Sequence, residues 1–454
     1  MTRDARSRAA RVPLAGALFA AMLALASRLA FAAPPAPTPE PPAPPAPAGP
    51  PAAPAPPAAS ALPAAAGEPL TLSEAERLGE AANPALLSAE AQVREAQGLV
   101  TQVGLYPNPD LVLDSVRFTN GDGPKETVLS LRQPLPWGSG REAARAEATA
   151  RLAAAERTRE QIRCDLLLEV RSAWMRAAFA AAIAEVKEED LQAARELRQG
   201  AEARVAAGDA PPFEARKAAI ESSRAEAQAA RARGDLGAET ASLNLLLGRP
   251  AGTPSRFVAP EGETAPERTL DDLVAQALAS EPRLAAAAHR AEAAARGAER
   301  ARVERRPLIA VGPTFGREEG DSYAGLGVAF RLPLWDRNQG GIAAAEAARD
   351  AAQSDVEAER LQTTRTVAET WHRFRAARDQ QALLAGDLLK DAETMLDLAR
   401  QAYRAGETGL LDYLDARRTV LALREESLRA RLEAALQAAR LTRALGTDAH
   451  PEAP

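Results

Sequence analysis

Residues 331–347 read RLPLWDRNQGGIAAAEA, and residues 132–148 read RQPLPWGSGREAARAEA. The two stretches, 199 residues apart, share an arginine, a proline, a tryptophan, glycine and an alanine-rich continuation. Chance similarity between alanine-rich helices does not produce shared prolines, glycines and tryptophans in one order. Because self-similarity at a fixed spacing is the signature of a repeated structural unit, this pair predicts that one unit is written twice in the chain.

Three further pairs of matching positions follow the same order, each 198 residues apart. They are 71–84 with 269–282, 206–218 with 404–416, and Gly248 with Gly446. The matches therefore divide most of the chain into two tandem repeats and their connections. The predicted segments are repeat 1 over 67–250, a linker over 251–268, repeat 2 over 269–447 and a C-terminal tail over 448–454.

Each repeat has the same predicted order of elements. A first helix, over 71–104 or 269–305, ends at prolines, which cannot continue a helix. Two short strand-like segments follow. A very long helix then runs without proline as far as Gly208 or Gly406, and a last helix returns. We therefore predict a mostly α fold with a small β part, in which helix, strand, strand, long helix and helix occur twice.

The strand-like segments alternate apolar residues with polar or small ones. The segments are 110–118, 126–134, 308–316 and 323–332, and a polar loop over 317–322 joins the last two. Strands of about nine residues can cross a bilayer when tilted. Four strands cannot close a barrel, however, and open sheet edges in lipid leave backbone groups unsatisfied. The sequence leaves two possibilities: a small sheet in water, or a barrel to which several chains each contribute four strands.

In each repeat a tryptophan stands where a strand leaves for a helix. These residues are Trp137 and Trp335. The position is typical of the aromatic residues that lie at a membrane interface. The alternative interpretation is that each indole fills a junction between helix and sheet.

The N-terminus has the pattern of an export signal. Residues 1–33 begin with four arginines in the first eleven positions, followed by an apolar run and the small residues AFA, which indicate a cleaved signal peptide. An uncleaved membrane anchor is the alternative. Residues 34–66 alternate proline and alanine, which predicts an extended, polyproline-like tail. Cys164 is far from the expected cleavage site, so no lipid-attachment cysteine is expected.

Composition argues against several classes of function. The net charge of −6 is spread along the chain, so no basic surface for nucleic acid is indicated. The three histidines, His289, His372 and His450, lack partners at metal-ligand spacing. No phosphate-binding glycine loop or nucleophile motif occurs. We therefore expect no enzyme activity, no cofactor and no resident metal site.

With these motifs the sequence resembles the TolC-like outer-membrane efflux proteins. RLPLWDRNQGGIAAAEA at 331–347 and AGDAPPFEARKA at 207–218 are most similar to the heavy-metal CzcC/CusC group of that family. The resemblance covers 70–447. It implies a homotrimer in which each chain gives four strands to one twelve-stranded outer-membrane barrel, continued by a long periplasmic helical barrel.

The same resemblance implies a gate at the two helix turns. Asp412 and Asp415 match the paired aspartates of a ring that lines the periplasmic constriction, and Glu214 and Tyr403 match a pair that latches it. Thr408 stands where the family's latch has an arginine, so the closed state is expected to be held differently. For the two aspartates an alternative is that they only oppose the dipole at a helix start.

The implied function is passive export of heavy-metal cations through the outer membrane of a Gram-negative bacterium. The implied partners are a periplasmic adaptor, an inner-membrane RND pump and outer-membrane lipid. Two alternatives stay open: a channel of the same family for drugs or other organic compounds, and a periplasmic coiled-coil adaptor or scaffold.

Overall fold

The structure of the protein, a computed structural model, describes residues 69–117, 125–135, 140–257, 268–318 and 320–446. The helices in this part are α1 (Leu72–Ala82), α2 (Pro84–Gly104), α3 (Gly140–Ala207), α4 (Pro212–Leu246), α5 (Leu270–Ser280), α6 (Pro282–Glu304), α7 (Gln339–Ala385), α8 (Asp387–Ala405) and α9 (Leu410–Ala444). The strands are β1 (Asp110–Arg117), β2 (Lys125–Leu135), β3 (Leu308–Glu318) and β4 (Asp321–Arg331). The predicted signal peptide, the proline/alanine tail and the C-terminal tail lie outside the described residues.

The chain forms two compact units. The described residues of the first lie within 104–144 and 299–342 and contain the strands, whereas the second contains most of the helical residues. The predicted mostly α fold with a small β part is confirmed. The order helical segment, strand, strand, long helical segment, helix occurs twice along the chain, and some of these segments consist of two helices.

The first unit contains one antiparallel sheet in the order β1-β2-β3-β4. The central pairing, between β2 and β3, joins the two repeats and sets Leu129 opposite Phe315. β1 and β4 are the edge strands, because each pairs with one neighbour only. The two strands of each repeat are thus hairpin partners, as the alternation predicts.

The register gives the sheet two chemically different faces, because directly opposed residues share a face and neighbours along a strand do not. One face is mostly apolar, and its apolar members include Leu111, Leu113, Leu129, Ile309, Val311, Phe315, Leu326, Val328 and Phe330. The other face carries most of the polar and small residues, which include Asp110, Asp114, Glu126, Ser130, Arg132, Thr314, Gly325, Gly327 and Arg331.

The second hairpin extends further than predicted. The prediction of a polar loop over 317–322 is wrong, because β3 continues to Glu318, which pairs with Asp321 at the start of β4. Apolar alternation ends before the strands do. The ladder itself is held by backbone hydrogen bonds, which polar residues form as well as apolar ones.

In both repeats the first helix is broken, whereas the sequence analysis predicts one helix over 71–104 and one over 269–305. Asn83 separates α1 from α2 with an extended ψ of 121°, and Glu281 separates α5 from α6 with a ψ of 117°. Each is followed by a proline, which starts the next helix. A proline disfavours the helical conformation of the residue before it, and this is the physical reason for both kinks.

The long helix of repeat 2 is broken as well, although it was predicted to run to Gly406. Gly386, with a ψ of −142°, separates α7 from α8. Glycine adopts such backbone conformations at little steric cost. In repeat 1, by contrast, α3 is continuous over 68 residues, which corresponds to about 100 Å of helix.

The largest buried cluster of the helical unit draws on both repeats. Val170 and Trp174 of α3 pack there with Leu243 of α4 and Leu436 of α9. The Trp174 indole N–H donates to the carbonyl oxygen of Leu70 over 2.8 Å, so its polar atom is satisfied. Alanine is the commonest residue type among the buried residues of the unit, and its small side chain allows close helix packing. Among the described helices, none has the length and apolarity that crossing a membrane demands.

Candidate functional site

The two helix turns, between α3 and α4 and between α8 and α9, have the same construction. Gly208 has a φ of 85° and Gly406 a φ of 78°, the left-handed conformation that glycine adopts readily at a helix end. In each turn the residue after the glycine donates its backbone N–H to a carbonyl of the last helical turn. The sequence match between 206–218 and 404–416 thus reflects one turn geometry used twice.

Tyr403 lies at the centre of a cluster beside these turns, and only 8% of its surface is exposed. Its hydroxyl donates to the Glu214 carboxylate over 3.5 Å. The Arg204 guanidinium lies 3.8 Å from that carboxylate and 5.1 Å from the centre of the Tyr403 ring. Tyr413 stacks on Tyr403 with ring centres 5.7 Å apart and planes inclined by 6°. Four helices therefore meet in one aromatic and ionic contact.

Apolar side chains support this contact. Leu410 and Leu414 of α9 are buried against the two tyrosines, and Leu197 of α3 packs on the same cluster. Burial of the ring lets the Glu214 and Arg204 charges act on it with less screening by water. The contact therefore couples α3 and α4 of repeat 1 to α8 and α9 of repeat 2.

The pKa of Tyr403 is raised, first by burial of its hydroxyl and then by the negative charge of Glu214, while Arg204 acts in the opposite direction. A raised pKa means that the folded protein favours the protonated hydroxyl. The hydrogen bond to Glu214 is thus fully present below the ordinary tyrosine pKa and is lost only as the pH rises through the raised value.

Asp412 and Asp415 lie on α9 and are exposed. The Asp412 carboxylate accepts the backbone N–H of Gly409 over 3.3 Å, so Asp412 also caps the start of the helix. This is the helix-start role that the sequence analysis leaves open for the pair. Asp415 lies one turn further along, where its backbone carbonyl accepts the Thr419 hydroxyl.

The structure therefore brings two of the predicted gate residues, Glu214 and Tyr403, into contact and leaves the two aspartates on an exposed part of α9. Arg204 and Tyr413 complete the cluster and were not identified from the sequence. Arg204 is a basic residue in the last turn of α3, which alone indicates only a favourable dipole interaction. Its contact with Tyr403 crosses 199 positions of the chain.

The remaining predicted site residues lie elsewhere. Trp335 follows β4 and is 87% exposed, whereas Trp137 lies outside the described residues. Within the described residues no group of three or more histidine, cysteine or acidic side chains could hold a metal ion. Cys164 is buried in α3.

Comparison with known proteins identifies the family that has this architecture. Residues 78–249 and 273–447 each match the family described as "Outer membrane efflux protein", one match in each repeat. The chain is 29% identical over 363 residues to the cobalt-zinc-cadmium resistance protein CzcC of Cupriavidus metallidurans, covering 76% of this chain and 83% of that protein.

Solved structures share the fold. The outer membrane protein VceC of Vibrio cholerae is 22% identical with a TM-score of 0.69, over 83% of this chain and 96% of VceC. CusC is 18% identical with a TM-score of 0.71, over 84% of this chain and 92% of CusC. The two family matches cover most of the sequence and coincide with the two repeats. The chain therefore belongs to the outer membrane efflux protein family.

Proposed function

We propose that this protein is the outer-membrane exit channel of a tripartite efflux system that expels heavy-metal cations. Three copies would each contribute the four-stranded sheet to one closed barrel, and their helical units would form a periplasmic tunnel. A periplasmic adaptor and an inner-membrane RND pump would supply the cargo and the energy, and this chain would conduct passively.

The observation that carries the proposal is the two-faced sheet. Its apolar residues on the two edge strands are widely exposed, and Leu326 at the middle of β4 is 77% exposed. An exposed apolar face backed by a polar one is the pattern of a membrane barrel, in which lipid-facing and lumen-facing residues alternate. In water such a face would be a strong aggregation hazard.

Both edges of the sheet support assembly from several copies. In the part of the chain that the structure describes, β1 and β4 each leave one row of backbone groups without a strand partner, and such groups are costly in lipid. Pairing β4 of one copy with β1 of the next uses two different surfaces, and such a head-to-tail contact closes into a ring. Three copies of a four-stranded sheet give twelve strands. Trp335, exposed just after β4, would then lie at the membrane interface.

Heavy-metal cargo is proposed from the similarity to CzcC, whose name states cobalt, zinc and cadmium resistance. Asp412 and Asp415 are proposed as part of the periplasmic constriction. In a trimer the pair would gather six carboxylates around one lumen and concentrate cations there. Selectivity among metals would reside in the pump, because the described residues contain no cluster of metal ligands.

The proposal is tested by extracting the protein from isolated membranes in detergent. We expect a trimeric mass and discrete pores in planar bilayers, and pores of the Asp412→Ala, Asp415→Ala double variant are expected to need at least about tenfold more trivalent cation for half-block. A soluble periplasmic monomer without pores would refute the channel and favour the adaptor alternative. Pores with unchanged cation block would refute only the role of the two aspartates.

Tyr403→Phe is expected to increase the fraction of time that the pore is open. The change removes the hydroxyl that donates to Glu214 but keeps the ring that stacks on Tyr413. A hydrogen bond of this kind contributes about 1 kcal/mol, so the opening equilibrium is expected to shift by roughly fivefold in single-channel recordings. Tyr413→Phe is the matched control, because it keeps both the ring stack and the bond to Glu214. Equal open fractions in all three proteins would contradict the latch.

A further inference from the structure

The buried stripe of α9 includes a charged residue. Leu410, Tyr413 and Leu414 are buried at helical spacing, and Arg417 continues the stripe one turn later. Arg417 is only 8% exposed. A guanidinium at a core-facing position is stable only when its charge and donors are satisfied, so its partners decide what it does.

Its partner is Asp190 of α3, which is also 8% exposed. Arg417 Nη2 donates both to the Asp190 carboxylate and to its backbone carbonyl oxygen. Two acceptors on one residue fix the arginine in direction as well as in distance. The next residue, Arg418, forms an ion pair with Glu221 of α4. Two consecutive arginines therefore bind α9 to two different helices of repeat 1.

This attachment fixes the rotation of α9 about its own axis. With about 100° of turn per residue, Asp412 and Asp415 project roughly opposite to the stripe of Leu410, Tyr413, Leu414 and Arg417. Both aspartates are exposed, in agreement with that position. Apolar contacts alone are non-directional and tolerate some rotation, whereas the bond between Arg417 and Asp190 does not.

We propose that Arg417, bound to Asp190, is the positioning residue that aims the Asp412 and Asp415 carboxylates away from the helix bundle and, in the assembled channel, toward the lumen. The orientation toward the lumen rests on the proposed function. Arg417 lies two residues after Asp415. Loss of its bond to Asp190 would therefore change the direction of the aspartate side chains directly, through the rotation of the helix. Lys187 and Glu425, 2.8 Å apart two turns further along α9, hold the helix beyond this point and limit the effect to its first turns.

The first test is Arg417→Met, which keeps the length of the side chain and removes its charge. We expect the concentration of hexaamminecobalt(III) that half-blocks the pore to rise at least about fivefold, since field focusing depends on where the carboxylates point. The charge-exchanged variant Arg417→Asp, Asp190→Arg is expected to return to within about twofold of the unmodified protein. Arg429→Met removes an exposed α9 arginine whose ion pair is with Glu425 of the same helix, and this variant is the matched control, expected to leave block unchanged.

A merely structural role would lower the thermal midpoint of Arg417→Met without altering cation block in the trimers that remain folded, and that outcome would overturn the proposal. A second measurement does not depend on pores. Nitroxide labels at Asp415→Cys and Gln199→Cys, with Cys164→Ala, report the distance between α9 and α3 in spin-diluted protein. Arg417→Met is expected to broaden the distance distribution and Arg429→Met to leave it narrow. An unbroadened distribution overturns the positioning role, whereas absence of pores in the unmodified protein overturns the proposed function alone.

Discussion

Val328→Arg is expected to abolish recovery of the membrane-embedded trimer. Val328 lies mid-strand in β4, on the apolar face, opposite Val311 of β3. An arginine on the lipid face near the bilayer centre costs about 2–4 kcal/mol. In a trimer the change occurs three times, so the barrel would lose roughly 6–12 kcal/mol, which is comparable to the whole stability of an ordinary domain. The measurement is the amount of detergent-extracted trimer in the outer-membrane fraction.

Ala329→Arg is the matched control, because it introduces the same side chain one residue along the same strand. Ala329 lies on the polar face, opposite Ala310. An arginine there would project into the aqueous lumen, where lumen-facing substitutions alter selectivity rather than assembly. We expect normal amounts of trimer and a lower single-channel conductance for cations. If Val328→Arg assembled as well as Ala329→Arg, the apolar face would not contact lipid, and the barrel assignment would fail.

Gly446→Ala is expected to destabilise the helical unit strongly. Gly446 has a φ of 65° just after α9, and a Cβ atom built there would lie 2.6 Å from the carbonyl oxygen of Ser280 and 2.8 Å from the Cα of Glu281. Both contacts are with backbone, which cannot rotate away. The left-handed conformation costs about 1–2 kcal/mol for a residue with a Cβ, and forced overpacking about 1–3 kcal/mol more. The measurement is the thermal midpoint of the helical circular dichroism signal.

Gly406→Ala separates these two costs. Gly406 has a similar φ of 78°, but a Cβ atom there would lie within 4 Å of no heavy atom beyond the glycine itself and its two chain neighbours. It should therefore show only the conformational cost of about 1–2 kcal/mol. A thermal midpoint for Gly446→Ala no lower than that for Gly406→Ala would show that the end of α9 does not press on the kink between α5 and α6.

The kink between α5 and α6 is also one of the helix breaks that the prediction from sequence omits. The sequence analysis predicts one continuous first helix in each repeat, over 71–104 and 269–305. Pro84 and Pro282 nonetheless begin new helices, and the rule on the residue before a proline was sufficient to predict both breaks. The break at Gly386 had no comparable signal, because many other glycines in the chain lie inside unbroken helices, as Gly200 and Gly234 do.

The candidate site was predictable in part. The resemblance to the efflux family implies Glu214 and Tyr403 as a latching pair, and the two residues are in contact. Arg204 and the pair formed by Arg417 and Asp190 were missed. Arg417 and Asp190 are 227 positions apart, and each alone resembles the many exposed charged residues of a helical protein. Burial is what distinguishes them, and burial depends on which helices pack together.

Residue order alone was enough for the features that depend on local chemistry. The paired glycines, prolines and strand alternations establish two repeats, the order of helical and strand segments in them and their turns, because backbone conformation and side-chain period are properties of short segments. The pairing of β2 with β3, the two faces of the sheet and the cluster around Tyr403 required the folded chain. They arise from contacts between segments about 200 positions apart, and such contacts are selected by the packing and hydrogen bonding of the whole molecule rather than by any one segment.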